Sequence, residues 1–289
     1  MIPGAFDYHR PRDIGDVLAL LAEHGDDARV IAGGHSLVPM MKLRVAEVPH
    51  LIDLQDVESL RGIGIENGCV TIGAMVTQHE LVNDAMLFEV APILREAALQ
   101  IADPQVRYMG TIGGNVANGD PGNDMPGVLQ CLDAQLVLRG PDGEREVAAR
   151  DFYEAAFTTM RHDSEILTEI RFGIPKGGSA YEKQKRKIGD YATAAAAVVL
   201  AREGNLCSAA SIAMTNLSDT PVWSATAAEA LVGSMVDDAA ISKSVDCMLN
   251  DIDPVEDNRG SIAFKRHVAG IILGRAIKRA WNGAEGRQT

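Results

Sequence analysis

The chain is 289 residues long, enough for two domains or for one large domain with an appendage. At 46% hydrophobic and 23% charged, with 28 glycines and 12 prolines, it has the composition of a compact globular protein and not of a disordered or collagen-like one. Its 27 basic and 40 acidic side chains leave a formal charge of −13, the wrong sign for a phosphate-backbone binder, so nucleic acid is excluded as an expected partner.

Asp13 is placed to cap a short amphipathic helix in which Ile14, Val17, Leu18 and Leu21 recur at helical spacing and Gly25 closes the segment. An extended run over 28–32 breaks at Gly33-Gly34, and residues 51–54 form a second extended candidate before a polar stretch. Val70 to Ile72 reads as a strand ended by Gly73. Residues 92–101 place Ile93, Leu94, Ala97, Ala98 and Ile101 on one helical face, and Pro104 is expected to stop that helix. The stretch 110–122 is rich in Gly and Asn, and residues 111–115 within it are expected to be loop. Apolar character resumes over 128–138, Pro141-Asp142-Gly143 is a hairpin-type turn, and 165–172 is a strand candidate with alternating exposure. The turn formers Pro175 to Ser179 mark the main domain boundary. Beyond it, 181–187 is strongly basic, 192–200 is small and apolar, and 206–217 is expected to pair back onto it as a strand. Helices then follow at 225–231, 237–249 and 261–281, the last with an apolar stripe of Phe264, Val268, Ile271, Ile272 and Ala276.

The most apolar stretch, 192–201, is about half the ~20 residues of a membrane-spanning helix, and no charged start with an apolar core opens the chain, so membrane insertion is not expected. Cys69, Cys131, Cys207 and Cys247 lie too far apart in sequence for the close pairs that iron–sulfur and zinc sites favour, and read as reduced core thiols of a cytosolic protein. The 7 histidines are scattered singly, without a metal-binding motif, and no metal ligand is expected. Any redox chemistry falls to an organic cofactor.

Two diglycine segments carry the most information. Ala32-Gly33-Gly34-His35-Ser36 breaks an extended run, and Thr111-Ile112-Gly113-Gly114-Asn115 sits in the Gly-rich stretch. Glycine lets backbone N–H groups approach an anion and adopts φ > 0 freely, so each segment reads as a small phosphate nest, and two nests suit a diphosphate. Neither fits G-x-G-x-x-G, and Pro39 is expected to prevent an uninterrupted helix after the first, so a Rossmann arrangement is not expected. His35 beside Ser36 does not make a nucleophile and its base, because neighbours on an extended segment point to opposite faces. Asp120, Asn123 and Asp124 are either solvated turn residues or a ribose acceptor with a polar wall; spacing leaves both open.

These strings resemble the flavin-binding medium subunits of aerobic carbon monoxide dehydrogenases, a branch of the molybdenum hydroxylase (xanthine dehydrogenase) family. The resemblance rests on residues 32–36 continuing to Arg44, Ile101 to Arg107, Thr111 to Asn115 with Gly119 to Asp124, Tyr181 to Ala194, and the opening Met1 to Gly4 with Phe6 to His9. It runs over essentially the whole chain. It implies an α+β FAD-binding fold of the PCMH or vanillyl-alcohol-oxidase type. Two α+β subdomains, about 1–57 and 58–177, would be followed over 178–289 by a three-stranded antiparallel sheet with a helical bundle. By the same carry-over, the backbone of 32–36 and 111–115 holds the FAD diphosphate and Asp124 the adenosine ribose. Ile101 and Leu167 are apolar walls, and Tyr191 lies before the isoalloxazine face. Glu182 falls where animal xanthine oxidoreductases carry a flavin-contacting lysine, with Lys183 and Lys185 nearby; Lys185 joins the implied cofactor set, although its residue type reads as solvated surface.

The resemblance also implies that substrate is oxidised elsewhere. The molybdenum cofactor would belong to a large partner subunit and the [2Fe–2S] clusters to a small one. FAD on this chain would pass electrons to a quinone or another acceptor, with no general acid or base supplied here. A cytoplasmic heterotrimer follows, meeting the inner face of the membrane only through the complex. The alternatives are the flavin subunit of a hydroxylase acting on an N-heterocycle or aldehyde, a stand-alone flavin reductase or oxidase, and an assembly subunit whose glycine segments are only turns.

Overall fold

In the computed structural model, which describes residues 2–285, the chain builds three main sheets with their covering helices. Met1 of the opening string and the last four positions of the expected 178–289 domain lie outside the described residues. Strands β1 (Asp7–His9), β2 (Ala28–Ile31) and β3 (His50–Asp53) form a parallel sheet in the order β1-β3-β2. Parallel neighbours need crossovers, and α1 (Ile14–His24) and α2 (Leu37–Leu43) supply them. Asp13 caps α1 as expected, its carboxylate accepting the Asp16 N–H at 2.9 Å, and Gly25 ends the helix at φ 51°. Val17 and Leu21 share a buried cluster with Ile52 of β3. Pro39 does not break α2. It is the third helical residue, where an N–H has no helical acceptor to lose, so the helix runs on to Leu43.

The second sheet is antiparallel throughout, in the order β4 (Ile63–Glu66), β5 (Cys69–Gly73), β10 (Ile166–Gly173), β6 (Gln135–Gly140), β7 (Gly143–Ala148). Strands β4 and β5 lead into six short helices: α3 (Gln78–Asn83), α4 (Ala85–Val90), α5 (Pro92–Gln100), α6 (Pro104–Met109), α7 (Ile112–Ala117) and α8 (Met125–Cys131). Then come β6, β7, the small hairpin β8 (Tyr153–Ala155) and β9 (Thr158–Thr159), and β10. Pro141-Asp142 is the expected two-residue turn between the paired Gly140 and Gly143.

Three local expectations change here. Pro104 does not stop the preceding helix; α5 ends at Gln100, and Pro104 opens α6 behind Asp103, whose carboxylate accepts the Val106 N–H at 3.0 Å. The Gly-rich stretch is not all loop, because Thr111 caps α7. β10 is the middle strand and is covered on both faces, so Ile166, Leu167 and Thr168 are all buried and alternation is confined to its second half.

The third sheet contains β11 (Gly178–Gln184), β12 (Ala194–Glu203), β13 (Leu206–Thr215) and β14 (Val222–Trp223), antiparallel in that order. Strand β13 returns onto β12 as expected; the two-residue β14 makes the sheet four-stranded instead of three-stranded. Helices α9 (Ala225–Glu229), α10 (Asp238–Asp251) and α11 (Ile262–Ala284) complete the chain. The expected stripe on α11 is rotated: Phe264 and Ile271 are exposed, while Val268, Ile272 and Ala276 are buried with Ala269, Leu273, Ile277 and Ala280. Small residues allow this face to lie almost on the sheet backbone. No helix among the described residues is long and apolar enough to cross a membrane.

Two further readings are corrected by the tertiary structure. Only Cys131 and Cys207 are buried thiols, whereas Cys69 and Cys247 are half-buried. The histidines are not all scattered in space either: His9, His24 and His50, far apart in sequence, come together at one edge of the first sheet.

The tightest seam is Gly178 of β11 against α11, where an added Cβ would stand 1.9 Å from the Ala280 carbonyl oxygen. Gly178→Ala is expected to destabilise the fold by about 1–3 kcal/mol through forced displacement of α11. Gly173→Ala, with nothing within 4 Å of the new methyl, should stay within about 0.5 kcal/mol in the same urea-unfolding measurement.

Candidate functional site

A cavity of about 520 Å³ opens where the loop after β2 meets the second sheet's helices, and β11 with the segment following it closes one side. Of the residues expected from sequence, Ala32, Gly33, Gly34, His35, Ser36, Ile101, Thr111, Gly113, Gly114, Asn115, Asp124, Leu167 and Tyr191 all line it. Ile112 and Lys185 do not. Ile112 is fully buried in the hydrophobic core, and the Lys185 ammonium donates to Gln100 Oε1 at 3.0 Å outside the lining.

The two glycine segments differ in what they offer. In the first, the N–H groups of Gly33, Gly34, His35 and Ser36 donate to no acceptor among the described residues, while Gly34 adopts φ 73° and His35 Nδ1 turns back to the Gly33 carbonyl at 2.8 Å. A row of free amides is an anion site in waiting. In the second, the amides are already used: Ile112 donates to Val76, Gly113 to Ala74, Asn115 to Thr111, and Gly114 to Thr111 Oγ1 at 3.0 Å. The expected pair of open nests is therefore one nest and one helical turn. Gly113 serves packing, since a Cβ there would meet Ala74 O at 2.6 Å, whereas a Cβ on Gly114 would crowd the capping Thr111 Oγ1 at 2.9 Å and make only ordinary contact with Ala32 Cβ at 3.5 Å.

Asp124 stands between α7 and β11 with both carboxylate oxygens engaged. Oδ1 accepts from the Tyr181 hydroxyl and Oδ2 from Lys183 Nζ at 2.8 Å, the two charged side chains being 6% and 1% exposed. Burial pushes the Asp124 carboxyl above its ordinary range, opposed by the Lys183 charge, and burial with the nearby carboxylate keeps Tyr181 a neutral phenol. Lys183 itself lines the cavity, whereas Glu182 points the other way and pairs with Arg279. Lys183, and not Glu182, is therefore the side chain at this edge of the cavity. Lys185 is pushed down, by its own burial and then by the Lys183 charge.

Gln78 was not singled out by sequence reasoning and is the most telling residue of the wall. It is 2% exposed, its backbone N–H donates to Gly110 O, and neither its side-chain nitrogen nor its oxygen has a partner. Buried polar groups are rarely left so. On the far side, Glu165 accepts both Arg145 Nε at 2.7 Å and the Arg145 terminal nitrogen at 2.8 Å, and this pair holds its carboxyl below the usual range. Tyr191 stands at the mouth, 42% exposed, with the Arg259 guanidinium 5.4 Å from its ring centroid; burial and the Asp120 charge push its phenol up.

With this geometry in view, comparison with known proteins is specific. Residues 4–176 match the family described as FAD binding domain in molybdopterin dehydrogenase, and residues 179–280 the CO dehydrogenase flavoprotein C-terminal domain. The chain is 54% identical to the carbon monoxide dehydrogenase medium chain of Afipia carboxidovorans, over 97% of this chain and 98% of that protein. It is 33% identical to the glyceraldehyde dehydrogenase medium chain of Sulfolobus acidocaldarius, over 96% and 99% of the two. A solved Cu,Mo-containing carbon monoxide dehydrogenase in its cyanide-inactivated form superposes with a TM-score of 0.97 at 53% identity, covering 98% of this chain and 100% of that one.

The Asp124–Lys183 pair makes a direct prediction. Lys183→Met strands a buried carboxylate and is expected to cost about 3–5 kcal/mol. Because the carboxyl's folded-state pKa then rises further above its unfolded value of about 3.9, the deficit is greatest at high pH and shrinks as the pH falls and the group protonates. Urea unfolding near pH 8 and near pH 5 should show a larger gap from wild type at the higher pH, and a pH-independent gap would contradict the pairing.

Proposed function

This chain belongs to the FAD-binding family of molybdopterin dehydrogenases, and on that premise we propose that its cavity holds one FAD and that it is the electron-transferring medium chain of a carbon monoxide dehydrogenase. The carrying observation is the convergence on one cavity of a row of unpartnered amides at 33–36 and the unpartnered side chain of Gln78. Both fit a polyanionic, heteroatom-rich ligand and neither fits an apolar one. When bound, FAD supplies two-electron storage with one-electron exchange.

The chain's own residues bind and orient. Gly33, Gly34, His35 and Ser36 offer their N–H groups to the diphosphate, while the bare Cα of Gly113 lets α7 press against Ala74 and that of Gly114 leaves room for the capping Thr111 hydroxyl. Thr111 and Asn115 add the polar edge of that turn. Asp124, held in place by Tyr181 and Lys183, keeps carboxylate lone pairs for the adenosine ribose. Ile101 and Leu167 exclude water from the ring system, and Tyr191 covers its open side. Ile112 supports α7 from the core, and Lys185 steadies Gln100 at the rim. We assign the FAD-binding domain to 1–177, dividing near residue 57, and the flavoprotein C-terminal domain to 178–289.

The designation medium chain, carried by relatives matched almost end to end, supports assembly with a larger and a smaller subunit. We place the molybdenum cofactor on the large one and the [2Fe–2S] clusters on the small one, with a quinone as acceptor and the complex at the inner face of the membrane. Carbon monoxide is favoured over an aldehyde because identity is 54% to the carbon monoxide enzyme and 33% to the glyceraldehyde one.

Gln78→Leu separates binding from folding. Removing an unsatisfied buried amide is expected to leave the apoprotein as stable or more so, while losing hydrogen bonds worth about 1–3 kcal/mol should weaken FAD binding by about tenfold or more. Flavin fluorescence titration alongside thermal melts reads both. A wild-type chain that stays colourless after FAD is added in the presence of its partner subunits would refute the cofactor assignment. Dye reduction by the assembled complex with an aldehyde or N-heterocycle, and none with carbon monoxide, would refute the substrate.

A further inference from the structure

We propose that His9, His24 and His50 form a binding site for a divalent first-row transition ion, with Zn²⁺ as the ion it fits. The three side chains come from the end of β1, the last residue of α1 and the first residue of β3. Parallel register pairs Asp7 with His50 and His9 with Ile52, so strand alternation puts Asp7, His9, His50 and Ile52 on one face of the sheet. This is the face on which α1 packs, through Val17 and Leu21 against Ile52. His24, at the end of α1, is thereby carried over the two strand histidines.

One ring nitrogen from each residue lies within 4.8 Å of the others. His9 Nε2 and His50 Nδ1 are 3.2 Å apart, and the His24 and His50 rings stack with centroids 3.7 Å apart. Two nitrogens bound to one tetrahedral zinc at about 2.0–2.1 Å stand about 3.3 Å apart. The His9–His50 contact, a hydrogen bond in the ion-free chain, already has this spacing, and the His24 nitrogen lies within 4.8 Å of both. The His24 ring nitrogens hydrogen-bond to nothing among the described residues. Asp7 Oδ2, 3.9 Å from His50 Nδ1 on an exposed side chain, is within reach as a fourth ligand; otherwise water takes that position.

The donor set selects the ion. Neutral imidazoles with one oxygen suit Zn²⁺, Cu²⁺ and Ni²⁺ and disfavour Mg²⁺ and Ca²⁺, which want oxygen shells. All three residues are half-buried, so the ion can enter without opening the fold. An ion held here would staple β1 and the end of α1 to β3, at the outer edge of a sheet whose other edge leads into the 33–36 loop. The cluster shares no residue with the lining of the large cavity, and the proposal stands apart from the FAD assignment.

The test uses tag-free full-length chain, stripped with a chelator and loaded with FAD. Titration with Co²⁺ should saturate at one equivalent per chain with the intense visible bands of a four-coordinate site. Zn²⁺ should displace it and raise the thermal midpoint, as any ligand selective for the folded state does. His24→Asn and His50→Asn should abolish the bands while flavin content stays at the wild-type level, and His267→Asn, an exposed histidine on α11, should change neither. Absence of a saturable equivalent in wild type, or its persistence in both cluster variants, overturns the site. Should either variant lose its flavin through misfolding, X-ray absorption of the zinc-loaded wild type decides: a shell with three imidazoles supports the site, and any shell with fewer overturns it.

Discussion

Backbone resting on backbone makes the cavity what it is. A Cβ on Gly33 would stand 2.3 Å from the Met109 carbonyl oxygen and 2.7 Å from Gly110 Cα, so the loop after β2 lies directly on the residues that lead into α7. Gly113 repeats the arrangement against Ala74, just after β5. The Gly33 contact joins the parallel sheet to the antiparallel unit with no side chain between them, and the Gly113 contact closes α7 onto β5 within that unit. The first loop is thereby held with its amides turned to the cavity and away from any strand or helix that could satisfy them. Unpartnered amides cost free energy in a folded protein, and here they sit on a loop whose Gly33 lies against the Met109–Gly110 backbone.

What could be read from sequence divides along the range of the interaction. The Asp13 cap, the Gly25 stop, the Pro141-Asp142 turn and the return of β13 onto β12 are local or nearly so, and each carries its own chemical mark. The error over 112–115 is of another kind: paired glycines read as loop, yet Thr111 is an N-cap residue, and its hydroxyl accepts the Gly114 N–H as such residues do. Lys183 was legible in principle, because strand alternation from the buried Tyr181 puts 183, not 182, on the side of Asp124. Gln78 was not. Its signal is the lack of a partner, which exists only once the chain around it has folded. The histidine cluster is hidden for the same reason, since each member belongs to a different element and register alone brings them together.

The charges around the cavity then show what the site is built to do. Three carboxylates line it, and each is held by a cation: Asp124 by Lys183, Glu165 by Arg145, and Asp190 by Arg186 at 3.1 Å. Against its burial, the Arg186 guanidinium and the Tyr191 N–H keep Asp190 below the ordinary carboxylate range, while Tyr191 is pushed towards the protonated phenol. A carboxylate fixed in an ion pair is a poor proton carrier at neutral pH, because moving its proton requires breaking the pair in a partly desolvated setting. Such groups are good at standing still. They hold α8, β10 and the segment after β11 at set distances around the cavity, which suits a protein that positions a ligand and leaves proton transfer to other groups. The fold's most expensive features, the free amides, the glycine seams and the buried ion pair, are all spent on position.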